Sequence, residues 1–426
     1  MKLTLLILLS VVSLALQAQQ PSLQFFRLND KRGLNIYETT KVDTIPYTGV
    51  KVRVGGDFSM QFQGLNQSNT ANTLVELGTD FNLPSANLNL DVQLLDGVRM
   101  HLRTYLSSRH HNETWIKGGH IQIDKLDFVR EGFLEGVMKY TTFTIGLDEF
   151  NYGDAHFRRS DNARAIYNPF IGNYIMDSFS TEAFGEATVQ VNGFLFVVGV
   201  TNGKLNQNVV VTNKSDNKPS LYGKLGFDKQ LNDDLRIRLT GSFYLNKGTT
   251  TGTWLYGGDR AGSRYYNVLH TQPDSLGNSQ GSDFDGRYNA RFTKLTALQI
   301  NPFIKFKGLE FFGIYELASG SNTFTQPIVD KEGAFTQLAA ELVYRFGNEE
   351  KFYIAGRYNS VKGKARESAA SNLEIDRFNV GGGWFISKNI LAKAEYVNQE
   401  YTGTAWSGRF AGAKFNGFNI EAAISF

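Results

Sequence analysis

From Val50 onward the chain alternates. Val50, Val52, Val54, Phe58, Met60 and Phe62 share one parity, and Lys51, Arg53, Asp57, Ser59, Gln61 and Gln63 share the other. A strand turns successive side chains to opposite faces, so this repeat predicts strands with an apolar medium on one side and water on the other. It recurs along the chain. Leu88, Leu90, Val92 and Leu94 oppose Asn87, Asn89, Asp91 and Gln93. After Asp96-Gly97, a strong two-residue hairpin signal, Val98, Met100 and Leu102 oppose Arg99, His101 and Arg103. Leu235, Ile237, Leu239 and Phe243 oppose Arg236, Arg238, Thr240 and Ser242. Leu298, Ile300 and Ile304 oppose Gln299, Asn301 and Lys305, and Leu338, Leu342 and Tyr344 oppose Gln337, Glu341 and Arg345.

The connections alternate in length. Short ones fall at Asp96-Gly97, Asn192-Gly193, Lys307-Gly308, Gly347-Asn348 and 387–389. Long ones fall near 63–85, 107–118, 149–180, 202–219, 247–293, 318–334, 361–372 and 401–411. Short turns at one end and long loops at the other are the outer-membrane arrangement. The pattern predicts an all-β, transmembrane antiparallel β-barrel of about sixteen strands over residues 50–426, with both ends on the short-turn side. Segments near 119–131 and 309–319 alternate poorly. A soluble β-sandwich would also alternate, but it would not need apolar faces of one parity along the whole chain.

Composition and charge change this picture at the edges. Residues 1–20 carry Lys2, an apolar run from Leu3 to Leu16 too short to span a membrane, and a small residue at Ala18. This reads as a secretory signal over 1–18. Residues 19–49 are polar and aperiodic, and are expected as a periplasmic arm. The mature chain holds no run near the ~20 apolar residues of a membrane helix. The absence of cysteine excludes a disulfide framework and thiolate sites. A net charge of +3 argues against nucleic-acid binding driven by bulk charge. Trp254, Tyr265, Tyr266, Tyr396, Tyr401 and Trp406 fall near predicted strand ends or in loops and are candidates for interface girdles.

Sixteen strands should leave an open lumen, because eight already fill theirs with side chains. Wall charge and any inward loop then set selectivity. The strand FTIGLDEF leads into a long polar loop holding His156, Arg158, Arg159 and Arg164. Guanidinium forks suit phosphate or carboxylate oxygens, so these residues are the candidate constriction. The same arginines would equally serve to pin the loop through Asp148, Glu149, Asp154 or Asp161. Parity turns Arg99, Arg103, Arg236 and Arg238 inward beside them, with Asp57, Asp91, Asp148, Glu341 and Glu395 on the same wall. Enzyme chemistry is not expected. His110, His111 and His120 stand among ordinary polar residues. His156, Ser160 and Asp161 are too close together for a confident triad, and no Walker, Rossmann or HExxH pattern appears. No cofactor or metal is expected.

The strand FTIGLDEF, the loop FRRSDNARAIYNPF and the last strand FNGFNIEAAISF, ending on Phe426, resemble the phosphate-selective porin family of bacterial outer membranes. The resemblance extends over the whole mature chain. It implies a barrel of about sixteen strands in a Gram-negative outer membrane, with the third outer loop folded into the lumen. It implies passage of small hydrophilic solutes with a preference for anions such as phosphate. It further implies contact with outer-membrane lipid, assembly by the barrel-assembly machinery through the strand ending at Phe426, and a homotrimer. A non-selective porin, a surface-adhesion barrel using the 247–293 loop, and a monomer are the alternatives.

Overall fold

The alternating segments become strands that close on themselves. The computed structural model describes residues 20–42, 44–107, 114–160, 164–204, 209, 218–248, 255–258, 261–321, 333–366 and 369–426; the expected signal over 1–18 lies outside them, as do His110, His111, Asp161 and Trp254. Among the described residues sixteen strands form one closed antiparallel barrel in sequence order. They are β1 (Lys51–Ser68), β2 (Thr79–Leu95), β3 (Val98–Tyr105), β4 (Trp115–Ile123), β5 (Thr141–Glu149), β6 (Thr181–Val191), β7 (Phe194–Thr201) and β8 (Ser220–Gln230). Then come β9 (Leu235–Asn246), β10 (Lys294–Phe306), β11 (Leu309–Ser321), β12 (Gly333–Phe346), β13 (Phe352–Lys364), β14 (Leu373–Ser387), β15 (Ile390–Tyr401) and β16 (Lys414–Ser425). The seam is β1 against β16, with Phe58 opposite Ile424 and Gln63 opposite Asn419.

The predicted parity holds around the wall. Leu239 is 52% exposed on the outside while Thr240 next to it is 1% exposed on the inside. No helix among the described residues is long and apolar enough to cross a membrane; the strands do the crossing. A closed barrel with an apolar exterior leaves no unpaired backbone edge in lipid, and this is an outer-membrane barrel.

Two expectations about the wall are refined. The segment near 119–131 is strand only to Ile123; residues 124–140 form a longer short-end connection with one helical turn, α1 (Glu135–Met138). The segment near 309–319 is β11, and it alternates poorly because Phe312 and Ile314 are apolar yet face inward and are buried.

The aromatic girdle also differs from expectation. A row of Tyr344, Phe346, Phe352 and Trp384 runs around the short-turn rim, with successive ring centroids 5.9, 5.8 and 6.1 Å apart. Tyr265 and Tyr401, expected as girdle candidates, are buried. The Tyr265 hydroxyl donates to Glu395 at 2.8 Å, and Tyr401 packs on Trp406 at 5.0 Å between centroids.

Candidate functional site: segments docked in the lumen and the cavity beside them

Three segments occupy the lumen. The first is the third outer loop, 150–180, which folds inward as expected. Its backbone would be costly to bury without partners, and wall side chains supply them. The amides of Ile171, Ile175 and Met176 donate to Glu395 (2.8 Å), Asn359 (2.7 Å) and Gln337 (2.9 Å). Lys393 donates to the carbonyls of Ala165, Asn168 and Phe170 at 2.8–3.1 Å. Arg357 donates to the Gly172 carbonyl at 2.8 Å and to Glu341 at 2.6 Å.

The second is residues 20–49. This stretch, expected as a periplasmic arm, enters the short-turn mouth and packs on the inner wall. Tyr37 packs edge-on against Phe303 of β10, centroids 5.5 Å apart, and lies in one apolar cluster with Phe312, Ile314 and Ala155. Glu38 accepts from Arg238 at 2.8 Å and lies 3.3 Å from the Lys224 ammonium. Lys41 donates to Asp124 at 3.1 Å. The Asn35 amide donates to Glu310 at 2.6 Å. Inward apolar residues on β10 and β11 were the sequence signal for a segment lying on this wall.

The third is the described part of the 247–293 loop, expected as the candidate adhesion surface. Arg264 is fully buried and pairs with Glu421, and the Tyr288 amide donates to the Ile175 carbonyl at 2.7 Å, tying this loop to the third one. The stretch 272–282 stays exposed.

These contacts separate the predicted arginines into two groups. Arg158 reaches Glu341 at 3.4 Å and Asn35 at 2.5 Å. Arg159 pairs with Asp177 and lies over the Phe179 ring. Arg238 grips Asp154 with two bonds of 2.8 Å. Arg99 donates to Asp124 (2.9 Å), to the Phe25 carbonyl (2.6 Å) and to Thr39 (3.1 Å). Arg236 is bidentate on Asp228 at 2.8 and 2.7 Å and donates to the Asn35 carbonyl at 2.9 Å, beside a cavity of about 600 Å³ at the short-turn mouth. Arg158, Arg238, Arg99 and Arg236 hold the plug to the wall, and Arg159 ties the third loop to itself.

Arg103 and Arg164 differ. They face a second cavity of about 220 Å³ along the inner face of β2 to β6, which reaches from Thr142 and Gln190 to Glu149 and Phe184. Seven residues of strand separate Thr142 from Glu149, a rise of roughly 23 Å, so the cavity is long and narrow. Arg103 Nη1 stands 3.9 Å from Asp148, and Arg164 Nη1 3.7 Å from Glu149. Arg27, missed by the sequence reading because it belongs to the arm, joins them. Among the described residues it bonds backbone carbonyls only, of Gly33 at 2.9 Å and Phe157 at 3.2 Å. His156 borders the same cavity, but its Nε2 lies 3.0 Å from Asn151 and its ring stacks on Phe157. Burial pushes its pKa down and Glu149 pulls it back only in part, so it is neutral at pH 7. The anchor Arg99 also borders this cavity, so its lining holds six carboxylates and four arginines.

The arm and third loop meet at one ionic knot. Asp154 accepts from Lys224 at 2.9 Å as well as from Arg238. Burial works to raise the Glu38 and Asp154 carboxyls, but Arg238 and Lys224 outweigh it and hold both well below the ordinary carboxylate range.

No family model and no curated protein sequence matches the chain. Solved structures do match in fold. The anion-selective porin from Comamonas acidovorans has a TM-score of 0.56 at 8% identity, covering 88% of this chain and 100% of that one. The outer-membrane channel DcaP of Acinetobacter baumannii has a TM-score of 0.54 at 10% identity, covering 89% and 98%. The trimer form of OmpT, an outer-membrane protein of Vibrio cholerae, has a TM-score of 0.53 at 10% identity, covering 89% and 100%. The chain shares the fold of outer-membrane porins.

Proposed function

We propose that this chain is an outer-membrane channel that passes small hydrophilic solutes along the β2–β6 wall. The observation that carries the reading is the long cavity lined by polar side chains that the docked segments leave along this wall. A channel of this kind conducts in small, uniform steps. Planar-bilayer recording on the refolded full chain tests it: discrete single-channel steps are expected, and a silent bilayer with correctly folded, heat-modifiable protein would overturn it.

An anion preference, and a phosphate-selective subtype with it, is the finer form of this reading. It is supported by Arg27, Arg103 and Arg164, which face the passage without a short carboxylate bond. The excess of carboxylates in the same lining weighs the other way. Reversal potential in a salt gradient, with chloride and then phosphate, decides: a cation-selective sign discards the anion form and leaves the channel standing. The assembly proposed with it is a homotrimer, matching the trimer named for OmpT, and native mass measurement in detergent checks it. Recognition by the barrel-assembly machinery is assigned to the closing strand. There Phe426 exchanges backbone bonds of 3.0 and 3.1 Å with Gly56 and leaves its ring half-exposed at the rim.

A further inference from the structure

Two histidines stand side by side on the passage wall, in a row of four residues that crosses four strands. Asp91 on β2 is register partner to His101 on β3, and His101 to His120 on β4. Asp148 on β5 reaches His120 diagonally, two residues beyond Gly146, the register partner of His120. His101 Nδ1 lies 2.6 Å from Asp91 Oδ1, and His120 Nδ1 lies 2.8 Å from Asp148 Oδ2. A carboxylate can only accept, so each Nδ1 carries the proton and donates it. In that tautomer the lone pair of each ring lies on Nε2. The two aspartates flank the pair from opposite sides, on β2 and β5, and both rings line the cavity. The ring centroids are 5.4 Å apart. His101 Nε2 is buried and has no hydrogen-bond partner among the described residues.

The backbone is cut to fit this row. A Cβ at Gly118 would fall 2.7 Å from Asp148 Oδ1, so only glycine lets that carboxylate lie across β4 to reach His120. The aspartates are themselves held, Asp91 by Arg53 at 2.6 Å and Asp148 by Arg103 at 3.9 Å.

An imidazole fixed through Nδ1 by a carboxylate, with Nε2 presented, is the arrangement that orients a histidine for metal ligation. Imidazole nitrogen suits copper, nickel and zinc. Among the described residues no three side chains of His, Cys, Asp or Glu converge on one point, so the protein would supply two imidazoles and no more. We propose that His101 and His120 form a two-imidazole site for a divalent first-row transition-metal ion on the passage wall, with Asp91 and Asp148 as positioning residues. This goes beyond the channel reading and does not depend on conduction.

The test uses Cu²⁺, the tightest of these ions for a given nitrogen site, and full-length mature protein refolded in detergent. The chain has six histidines. The variant His110→Gln/His111→Gln/His270→Gln leaves only His101, His120 and His156. One Cu²⁺ per barrel with two coordinated imidazoles, read by electron spin-echo modulation, is expected. Adding His101→Gln or His120→Gln should remove the two-imidazole signal. Asp148→Asn should weaken binding about 10- to 100-fold, the usual effect of losing such a partner, while the barrel stays heat-modifiable. An unchanged signal in His101→Gln and His120→Gln overturns the site. So does a count below two imidazoles at stoichiometric Cu²⁺, and that readout needs neither variant to fold.

Discussion

The lumen faces of two parts of the wall obey different rules. On β10 to β12 the inward residues include Phe303, Phe312, Ile314 and Ala339, packed with Tyr37 of the arm and Ala155 and Tyr174 of the third loop. On β2 to β5 the inward residues include Asp91, His101, Arg103, His120, Thr144 and Asp148, lining the cavity. Both belong to one barrel and both alternate. The difference shows that "inward" means "wet" only where nothing is docked. Where the plug lies, the inner wall behaves as a protein core.

The largest break in this comparison is removal of the plug itself. Deleting residues 20–45 from the mature chain should raise single-channel conductance several-fold while heat modifiability persists, because the filled side becomes wet. Unchanged conductance would mean that the arm leaves the passage width alone.

A local version acts at the ionic knot. Asp154→Asn leaves Arg238 and Lys224 buried with one fewer anion, and breaking a buried pair in this way costs ~3–5 kcal/mol. A lower denaturant midpoint and faster protease cleavage within 150–180 are expected; an unshifted midpoint would mean that the knot holds nothing. The same groups set a pH dependence. Glu38 and Asp154 are depressed in the folded protein, so their stabilisation is complete above the unfolded carboxylate value of about 4.3. It is lost as pH falls from there toward about 2, where the folded Glu38 titrates. Protease access to the arm should therefore be flat from pH 7 to 5 and rise below about 4.

The barrel was legible because lipid imposes its own alternation on every strand, and residues such as Leu239, Leu298 and Leu342 carry that signal without regard to what lies inside. The third loop's inward course was implied by a family resemblance, and it follows physically from wall groups such as Glu395, Asn359 and Lys393 that satisfy its backbone. The arm was not legible. The described residues of 20–49 have no period because they form no element longer than one 3-10 turn at Lys31–Gly33, and their contacts are made one side chain at a time. The only trace was on the other partner, where Phe303, Phe312 and Ile314 break the polar parity. The site was half legible for a related reason. Parity placed Arg99, Arg103, Arg236 and Arg238 inside correctly, but it carries no information on pairing. The Asn35 carbonyl makes Arg236 an anchor, and the Phe25 carbonyl and Thr39 make Arg99 one; neither set of contacts could be assigned from spacing.

A substitution square sharpens the comparison at one remove. Leu239→Arg on β9 and Ile145→Arg on β5 both put charge into hydrocarbon and should each cost ~2–4 kcal/mol near the midplane. Their inward neighbours should differ. Parity alone would make Thr240→Arg tolerable, as an arginine solvated in an open lumen. The structure corrects this: Thr240 is buried and donates to Asp154 at 2.8 Å, so the larger side chain overpacks the knot at ~1–3 kcal/mol. Thr144→Lys, facing the cavity, should cost roughly 1 kcal/mol or less. Chemical-denaturation midpoints of the four variants test this. Equal costs at Thr144 and Thr240 would erase the distinction between the wet and filled walls.

The smallest effect separates two arginines of one loop. Arg158 is buried against Glu341 and Asn35, whereas the Arg164 side chain is 24% exposed and faces the passage. One charge pair at ~4 Å contributes about 1 kcal/mol in bulk water and about 4 kcal/mol at an effective dielectric near 20. A wet passage lies toward the lower value, and Glu149 at 3.7 Å already offsets part of the field of Arg164. Arg164→Gln should therefore shift the anion-to-cation permeability ratio toward cations by roughly fivefold at most. The shift should shrink as salt rises, because the Debye length falls from about 30 Å at 0.01 M to about 10 Å at 0.1 M. The unfolding midpoint should stay in place. Arg158→Gln should do the reverse. It loses charged hydrogen bonds worth about 1–3 kcal/mol, which lowers the midpoint, and it leaves the permeability ratio alone because no permeating ion meets that side chain. If instead both variants move selectivity alike, the third loop does not divide into a docked part and a passage-facing part, and the two-walled description of the lumen fails with it.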